Sequence, residues 1–234
     1  MRKGIVQLVA IGVVIGVALT LVALLFKWLP TSASEEFDRI QAIYWFVTVV
    51  SIVIFSLVSA VVIFSVWKWH VPLDDDADGP PIHGHTGLEI LWTAVPAVLV
   101  TAIGIVSALV LARNGDAGER PLDVQVIAQQ FAWKFVYPES DDLQSGELVL
   151  PVGRETRFTI RSVDVIHSFW SPNFGQKMDA VPGIETEILV TPKRTGEFTV
   201  VCTELCGLGH STMRARARVV TQEEFDAWVE EQQA

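Results

Sequence analysis

The sequence predicts a membrane-anchored α-helical region followed by an all-β sandwich domain. Three observations lead to this fold class. Half of the 234 residues are hydrophobic and the mean hydropathy is +0.41, which is too apolar for an ordinary soluble domain. Long runs without charge occupy the chain up to Ala112. Beyond them, apolar residues recur at every second position between Pro and Gly turn signals.

Two uncharged runs predict a hairpin of transmembrane helices within residues 40–112. Residues 43–66 and 90–112 contain no charged side chain. About 20 apolar residues suffice for a helix to cross a hydrocarbon core of about 30 Å. A buried core helix is the alternative, but helices of soluble proteins rarely run uncharged for so long. The Pro-rich, acidic residues 72–87 between the two runs are typical of a loop.

A third apolar run, residues 5–26, follows Arg2 and Lys3. It has two interpretations, a cleaved signal peptide or a retained first helix, and we favour the helix. Residues 1–39 are then this helix, or signal sequence, together with an external loop. The basic N-terminus is expected on the inside. Three membrane crossings would place the C-terminal segment outside the cytoplasm. Cleavage of a signal peptide would give the same result.

Residues 113–234 are predicted to form one extracytoplasmic domain, joined to the last helix by the polar linker 113–121. This segment carries 12 Lys and Arg against 19 Asp and Glu. An acidic surface repels nucleic acid and attracts basic partners at a salt-dependent rate. A simpler interpretation is that the acidity only keeps the domain soluble, and the sequence leaves both open.

Short strands separated by turns predict a sandwich or barrel for this domain. Apolar positions alternate along five stretches: Val124, Val126 and Ala128; Phe131, Trp133 and Phe135; Thr156, Phe158 and Ile160; Ile188 and Val190; Phe198 and Val200. A short C-terminal helix follows, with Thr221 and Glu224 as a capping box. Its apolar stripe is expected to pack on the sandwich and consists of Phe225, Trp228 and Val229.

The residues with metal-binding chemistry are the two cysteines of the chain and their neighbours. Cys202 and Cys206 are followed by His210 and Met213, and His167 stands in an apolar stretch upstream. Thiolate, imidazole and thioether form a soft ligand set, which Mg²⁺ and Ca²⁺ do not choose. Zinc is coordinated by two Cys and two His in many proteins, but methionine is not among its usual ligands. A mononuclear blue-copper site needs only one cysteine.

Two thiolates four residues apart can instead bridge two copper ions. Each copper then takes one terminal histidine, and a methionine and a backbone carbonyl complete the coordination weakly. Charge shared over two metals and two sulfurs spreads the structural change on reduction over many bonds, which suits rapid electron transfer. The competing interpretations are a disulfide between the cysteines and, for His167 alone, a hydrogen-bonded core histidine.

Three motifs give the sequence a resemblance to a known family. HGHTGLEILWTAVP (residues 83–96), VIHSFWSPNFGQKMDAVPG (165–183) and CTELCGLGHSTM (202–213) occur in this order. They resemble subunit 2 of the haem–copper cytochrome c oxidases, in the start of the last transmembrane helix, the stretch with the first histidine ligand, and the dinuclear copper (CuA) loop. The resemblance runs from about residue 40 to the C-terminus and implies a cupredoxin-like Greek-key β-sandwich.

The resemblance implies a role for each matching residue. Six residues would hold the copper pair: His167 and His210 as terminal imidazoles, Cys202 and Cys206 as bridging thiolates, Met213 as the axial thioether, and Glu204 through its backbone carbonyl. The Glu204 side chain would also reach a Mg²⁺ or Mn²⁺ shared with subunit 1. Glu89 matches a glutamate at the mouth of a proton path into that subunit, and a solvated acid at a helix start is the alternative.

One stretch, QQFAWKFVY at residues 129–137, departs from the family pattern. The family usually has two tryptophans flanking a tyrosine there, and the first tryptophan receives electrons from cytochrome c. Phe131 stands at the first tryptophan and Ala132 at the tyrosine, so that only Trp133 remains. Electron uptake would then involve Trp133 and an apolar docking surface at Phe131. The stretch also resembles quinol oxidases, whose subunit 2 has lost the copper ligands, whereas all six positions are retained here.

The sequence thus predicts a multi-pass subunit of a cytochrome c oxidase in a bacterial plasma membrane. It would take electrons from a c-type cytochrome and pass them to haem in subunit 1, where O₂ reduction is coupled to proton translocation. This chain would hold neither haem nor a catalytic residue of its own. Its other partners would be the remaining oxidase subunits and membrane lipid, and not nucleic acid. Three alternatives stay open: a copper carrier, a quinol oxidase subunit with a vestigial loop, and a copper-containing nitric oxide reductase.

Overall fold

The computed structural model describes residues 2–71, 74, 79–118 and 120–234. The described chain divides into two compact units. The first comprises the chain up to Leu29 together with Ile43–Ser107, and the second comprises Pro30–Ala42 and Ala108–Ala234. The second unit therefore includes a short segment, residues 30–42, that precedes the predicted helical hairpin in the sequence.

Three long helices account for the apolar runs. They are α1 (Arg2–Leu25), α2 (Glu35–Lys68) and α3 (Thr86–Asn114), and all three are long and apolar enough to cross a membrane. Helix α2 begins before its apolar run because its first-turn acids, Glu35, Glu36 and Asp38, suit the positive end of the helix dipole. Of the predicted acidic loop at residues 72–87, positions 72, 73 and 75–78 lie outside the described residues.

Within the first unit, α1 packs against α2 through small side chains. A Cβ added to Gly12 would lie 3.5 Å from the Cβ of Ala60, and one added to Gly16 would lie 3.4 Å from Ser56 Oγ. Glycines allow two helices in lipid to approach each other closely. The prediction of a third, N-terminal helix is confirmed, and this helix has a partner in α2.

The second unit is a sandwich of two five-stranded sheets. Its strands are β1 (Leu122–Gln129), β2 (Ala132–Tyr137), β3 (Leu143–Ser145), β4 (Leu148–Pro151), β5 (Thr156–Ser162), β6 (His167–Trp170), β7 (Lys177–Ala180), β8 (Thr186–Val190), β9 (Gly196–Cys202) and β10 (Arg214–Val220). One sheet has the order β3-β2-β1-β5-β8 and the other β4-β10-β9-β6-β7. The pairs β1–β5 and β4–β10 are parallel, and the other pairs are antiparallel. The predicted β-sandwich is confirmed.

The alternating residues form the core between the two sheets. Val124, Val126 and Ala128 of β1 are buried, as are Phe158 and Ile160 of β5. Because successive side chains of a strand point to opposite faces, period-two alternation places every second one inside. The core is therefore built from the positions that the sequence pattern predicts.

Phe131 differs from this pattern. The alternation predicts that it shares a face with Trp133 and Phe135, both of which are buried in β2. Phe131 instead precedes β2 in the turn that follows β1, and it is 40% exposed. The turn takes the ring out of the core and leaves it at the surface.

The two ends of the sandwich have different structures. One end collects four loops, which we call the loop end: residues 130–131, 163–166, 181–185 and 203–213. Direct contacts hold these loops together. Gln130 Nε2 donates to Cys206 O at 2.6 Å, and Ser162 pairs with Pro182 in an isolated bridge.

The C-terminal helix α4 (Gln222–Gln233) follows β10 at the opposite end. Thr221 and Glu224 form the predicted capping box. Trp228 is buried, and its ring lies 5.2 Å from that of Tyr137 at the end of β2. The apolar stripe of this helix therefore packs on the sandwich, as predicted.

The segment before α2 pairs with the chain just after β8. Ser34 forms an antiparallel bridge with Pro192, and Lys193 N donates to Ala33 O at 3.0 Å. Ala33 N donates in turn to Asn173 O at 2.8 Å. Ala33 and Ser34 are fully buried. The segment is thus an integral part of the sandwich unit.

A buried carboxylate fixes the start of α2 in the same unit. Glu36 is 2% exposed, and its Oε2 accepts from Thr191 N at 2.9 Å while its Oε1 accepts from Arg39 Nη2 at 3.1 Å. Arg39 Nε also donates to Asn114 Oδ1 at 2.7 Å. A buried charge is tolerated when it is paired and hydrogen-bonded. One network therefore joins the start of α2, the end of α3 and the chain after β8.

The network bears on the membrane topology. Residues 30–42 and 108–234 belong to one compact unit, which can form only if both stretches reach the same side of a membrane. Most of α2 and most of α3 lie between these two stretches in the sequence. A chain that leaves and returns to one side needs an even number of crossings, which supports the predicted hairpin.

We expect Gly175→Ala to loosen the attachment of this segment. Gly175 has a φ of +77°, and a Cβ added to it would overlap the ring of the buried Phe37. Overpacking and a strained backbone should together lower the free energy of unfolding by about 1–3 kcal/mol. Thermal unfolding of the detergent-solubilised chain measures the change. Gly146→Ala is the matched control, because nothing lies within 4 Å of a Cβ there, and equal midpoints for the two variants would contradict the expectation.

Candidate metal centre

The residues predicted to hold copper converge at the loop end. His167 opens β6 and Cys202 closes β9, which pairs with β6. The following loop brings Cys206, His210 and Met213 back beside them, with a short 3-10 turn at His210. His167, both cysteines and Met213 are buried, and His210 is half-buried.

The first half of the centre surrounds Cys202. Its Sγ lies 3.8 Å from His167 Nδ1 and 3.2 Å from the backbone carbonyl oxygen of Glu204. The imidazole and the carbonyl therefore face the same sulfur.

The second half surrounds Cys206. Its Sγ lies 3.7 Å from His210 Nδ1 and 3.8 Å from Met213 Sδ. The sulfurs of Cys206 and Cys202 are 3.9 Å apart. Each sulfur thus has its own imidazole and its own weak donor, and the two sulfurs face each other between the halves.

The distances between the donor atoms bear on the kind of metal site. The ligand atoms of His167, Cys202 and Cys206 lie within 4.8 Å of one another, and His210 falls outside this group among the described residues. A tetrahedral zinc with bonds of about 2.0–2.3 Å would need all four donors within about 4 Å of each other. In this structure His167 and the two cysteines therefore form one compact group, and His210 stands beside Cys206.

Both cysteines are free, which does not agree with the disulfide interpretation. Burial and the neighbouring Cys202 raise the pKa of Cys206 to about 11. Cys206 therefore does not favour the thiolate form at neutral pH without a positive charge nearby. Metal ligation requires the thiolate form, and a bound cation between the sulfurs is the group that would stabilise it.

Asp164 is a candidate site residue that the sequence pattern did not identify. Its Oδ1 accepts from His167 Nε2 at 2.8 Å, so that Nδ1 is the nitrogen that faces Cys202. Burial raises the pKa of Asp164, but hydrogen bonds from His167 and from the N–H groups of Gln130 and Val165 outweigh it and lower the pKa to about 2. A carboxylate behind a ligand imidazole fixes its tautomer and makes it a stronger donor. The available signal was a single acid three residues before His167 in an apolar stretch.

The two residues predicted to receive electrons lie in different surroundings. Trp133 is 4% exposed, and its ring stands edge-on to His167 at 6.2 Å. Phe131 lies at the surface over the metal-binding loop. A Cβ added to Gly209 would lie 2.5 Å from the Phe131 ring, and one added to Gly207 would lie 3.2 Å from it. The absence of side chains at these two glycines lets the ring rest directly on the loop backbone.

The side chains of two predicted residues, Glu204 and Glu89, do not contact the two sulfurs. Glu204 is exposed, and only its backbone oxygen faces Cys202. Glu89 belongs to the helical unit, where it is exposed in the first turn of α3. Its Oε1 accepts from His85 N at 2.9 Å.

Comparison with known proteins gives matches over most of the chain. The family model for the cytochrome c oxidase subunit II transmembrane domain matches residues 22–110, and the model for the periplasmic domain of that subunit matches residues 144–220. Cytochrome c oxidase subunit 2 of Synechocystis sp. is 30% identical over 270 residues, which cover 94% of this chain and 81% of that protein. The same subunit of Thermostichus vulcanus is 31% identical and covers 88% of this chain and 79% of its own.

Solved structures give a corresponding match. The periplasmic domain of subunit II of cytochrome oxidase from Bradyrhizobium japonicum is 31% identical in sequence. The match covers 50% of this chain and 97% of that domain, with a TM-score of 0.48.

Proposed function

Because the chain belongs to the cytochrome c oxidase subunit II family, we propose that it accepts electrons from a c-type cytochrome at a dinuclear copper (CuA) centre and passes them to haem in subunit 1. Reduction of O₂, coupled to proton translocation, takes place in that partner. The chain is then one subunit of an oxidoreductase complex. Its location is the bacterial plasma membrane, with the sandwich unit on the extracytoplasmic side.

One observation carries the proposal. The two sulfurs lie 3.9 Å apart, and each stands beside a different imidazole. Copper accepts thiolate, imidazole and thioether donors together, and a bound copper pair supplies one-electron transfer. A copper carrier would not need both imidazoles and both thiolates fixed in one buried site. A quinol oxidase subunit would have lost these ligands.

The residues of this chain position and shield the centre. Asp164 holds the His167 ring with Nδ1 turned towards Cys202. Met213, which is 1% exposed, presents its thioether to Cys206. The Trp133 ring packs beside His167 and excludes water from that side. The apolar shell of such a centre controls its solvent access and hence its redox potential.

Finer roles belong to the same proposal. The exposed Glu204 carboxylate binds a Mg²⁺ or Mn²⁺ that is shared with subunit 1. Glu89 stands at the mouth of a proton path into that subunit. Phe131 and Trp133 take part in electron uptake. The partners are subunit 1, the other oxidase subunits, the cytochrome donor and membrane lipid.

Metal analysis and EPR spectroscopy of the purified membrane complex test the proposal. We expect two coppers per chain, intense visible and near-infrared absorption, and a hyperfine pattern shared by two copper nuclei. One zinc and no copper would contradict the proposal. No metal at all would favour a quinol oxidase subunit, and a colourless Cu(I) protein would favour a carrier. A nitric oxide reductase would show the same copper signals, but its complex would reduce NO in place of O₂.

A further inference from the structure

The second unit contains a cavity of about 320 Å³ between the end of α3 and the strands β5, β7 and β8. None of the residues predicted to hold copper lines it. Small-molecule sites in proteins range from about 300 to 1,000 Å³. A cavity at the lower end of that range suits a small polar group, and a protein segment or a whole lipid would not fit inside it.

The cavity lies at the point where α3 leaves its apolar run. The uncharged stretch ends at Ala112, and Leu111 in its last turn lines the cavity. Arg113 and Asn114 follow, and Asn114 also lines the cavity. The wall is therefore apolar on one side and polar on the other. A wall of this kind at the end of a membrane-spanning helix matches the boundary between acyl chains and lipid headgroups.

Two hydrogen-bond donors line the cavity. Within the described chain, the ion pair of Arg157 is a single contact with Asp123 Oδ1 at 3.4 Å, so the guanidinium keeps further N–H groups for a ligand. Asn114 Oδ1 accepts from Arg39 Nε at 2.7 Å, which leaves the NH₂ group of Asn114 as a donor. Guanidinium and amide N–H groups are donors that bind phosphate oxygens.

Two acceptors line the same cavity. Glu187 is exposed on β8, and its carboxylate has no ion pair with another described residue. Gln176 donates its Nε2 to Leu189 O at 2.6 Å, which leaves its Oε1 as an acceptor. A carboxylate and an amide oxygen are acceptors for an ammonium group. The cavity thus has one positive and one negative side chain, each with a neutral polar neighbour of matching type.

The strand register gives these two charges an order along β8. Arg157 pairs with Leu189, and Glu187 lies two residues before Leu189. A strand rises about 3.3 Å per residue, so the level of Glu187 is about 6–7 Å from that of Arg157. Strand β8 leads to Thr191, whose N–H bonds Glu36 in the first turn of α2. The positive side chain is therefore closer to the start of this membrane helix than the negative one.

We propose that this cavity binds the headgroup of phosphatidylethanolamine. The phosphate lies against Arg157 and Asn114, the ammonium group lies against Glu187 and Gln176, and the acyl chains continue along the side of Leu111. In this lipid the phosphate is closer to the acyl chains than the ammonium group, which is the order of the two charged side chains. The site goes beyond the proposed electron transfer and does not depend on it.

The charges of the cavity favour this headgroup over those of other phospholipids. Phosphatidylglycerol has no positive group, so that Glu187 would face an anionic lipid without a partner. Phosphatidylcholine has a quaternary ammonium group with no N–H to donate to a carboxylate. Phosphatidylethanolamine supplies both a phosphate and three N–H donors.

Photolabelling of the purified membrane complex in detergent tests the site. The probe is phosphatidylethanolamine with a photoreactive diazirine near the start of one acyl chain. We expect peptide mass spectrometry to find the label within residues 108–118. Unlabelled phosphatidylethanolamine should displace the probe at a concentration about tenfold lower than phosphatidylglycerol or phosphatidylcholine, since a hydrogen bond to a charged group contributes roughly that factor. Free phosphoethanolamine, which lacks acyl chains, should displace it least.

Two variants test the residues themselves. We expect Arg157→Gln and Glu187→Gln each to reduce the labelling by about tenfold at limiting probe, and Glu187→Gln to abolish the preference over phosphatidylglycerol. Arg154→Gln and Glu185→Gln are the matched controls, because they remove the same charges from positions outside the cavity. They should label as the wild type does. Equal thermal midpoints of all four variants in lipid-free detergent would separate loss of lipid from loss of fold.

The other outcomes identify other occupants. Wild-type labelling in Glu187→Gln, or equal displacement by all three lipids, would overturn the proposal because the headgroup would then not be recognised. Displacement by free phosphoethanolamine at the same concentration as the lipid would overturn it in favour of a soluble ligand. No label within residues 108–118 would overturn it in favour of a cavity filled by another subunit. The labelling requires neither copper nor a cytochrome, so a failure of the proposed function would leave this result unchanged.

Discussion

Cys206→Ser is expected to leave the chain with at most one bound copper and to slow reduction of the centre by more than about 100-fold, because loss of a group that merely supports a ligand already costs roughly 10–100-fold. Cys206 Sγ lies within 4 Å of three other donor atoms, on Cys202, His210 and Met213. A serine hydroxyl is a hard donor that copper does not prefer. The two halves of the centre would then have only one sulfur to share.

Metal analysis and EPR spectroscopy of the purified complex measure this effect. Ser211→Ala is the matched control, since Ser211 is exposed in the same loop. It should retain both coppers and the wild-type rate. Thermal unfolding of the two variants without metal separates loss of copper from loss of fold. A Cys206→Ser protein with two coppers and an unchanged EPR pattern would contradict a centre that shares both sulfurs.

Asp164→Asn is expected to weaken copper binding by about 10–100-fold, the range measured for partners that orient a ligand imidazole. The carboxylate accepts the Nε2 proton of His167 at 2.8 Å and leaves Nδ1 free to face the centre. Hydrogen bonds hold the pKa of Asp164 at about 2, so that it stays ionised at every pH well above that value. An amide removes this charge and allows the opposite orientation beside the ring.

Competition titration with a copper chelator measures the affinity, and a redox titration measures the potential. Asp179→Asn is the matched control, because Asp179 is exposed on the neighbouring strand β7 and its residue pairs with Ser168, next to His167. We expect its affinity and potential to equal those of the wild type. If both variants bind copper equally well, Asp164 does not position the ligand.

The local sequence pattern predicts the elements that depend on nearby residues. The buried faces of β1 and β5 follow from alternation at Val124, Val126, Phe158 and Ile160. The cap at Thr221 follows from the spacing to Glu224. These features are set by period and by capping chemistry, which a single stretch of sequence contains.

The remaining features depend on contacts between distant parts of the chain. Residues 30–42 resemble a polar connection, but Ser34 pairs with Pro192 and Glu36 with Thr191, about 150 positions later in the sequence. Alternation assigned Phe131 to the core, because the turn before β2 is not visible in a period of two. No local rule identifies such pairings.

The candidate centre likewise contains residues that a local pattern predicts and residues that only distant contacts reveal. The ligand types at Cys202, Cys206, His210 and Met213 predict a soft-metal site from one short loop. A second motif, at residues 165–183, was required to identify His167 as a ligand. Asp164 was not identified, because a lone acid near a histidine has many ordinary explanations. Its role becomes visible only when the distance to Nε2 is known.

The attachment of residues 30–42 to the sandwich would link the stability of the domain to correct membrane insertion. If only one of α2 and α3 crossed the membrane, the segment and the sandwich would end on opposite sides. Ser34 would then lose Pro192, and Glu36 would lose the backbone N–H of Thr191. A chain inserted in this way would carry an incomplete, less stable domain, which cellular proteases remove preferentially. Correct insertion and domain stability would therefore be selected together.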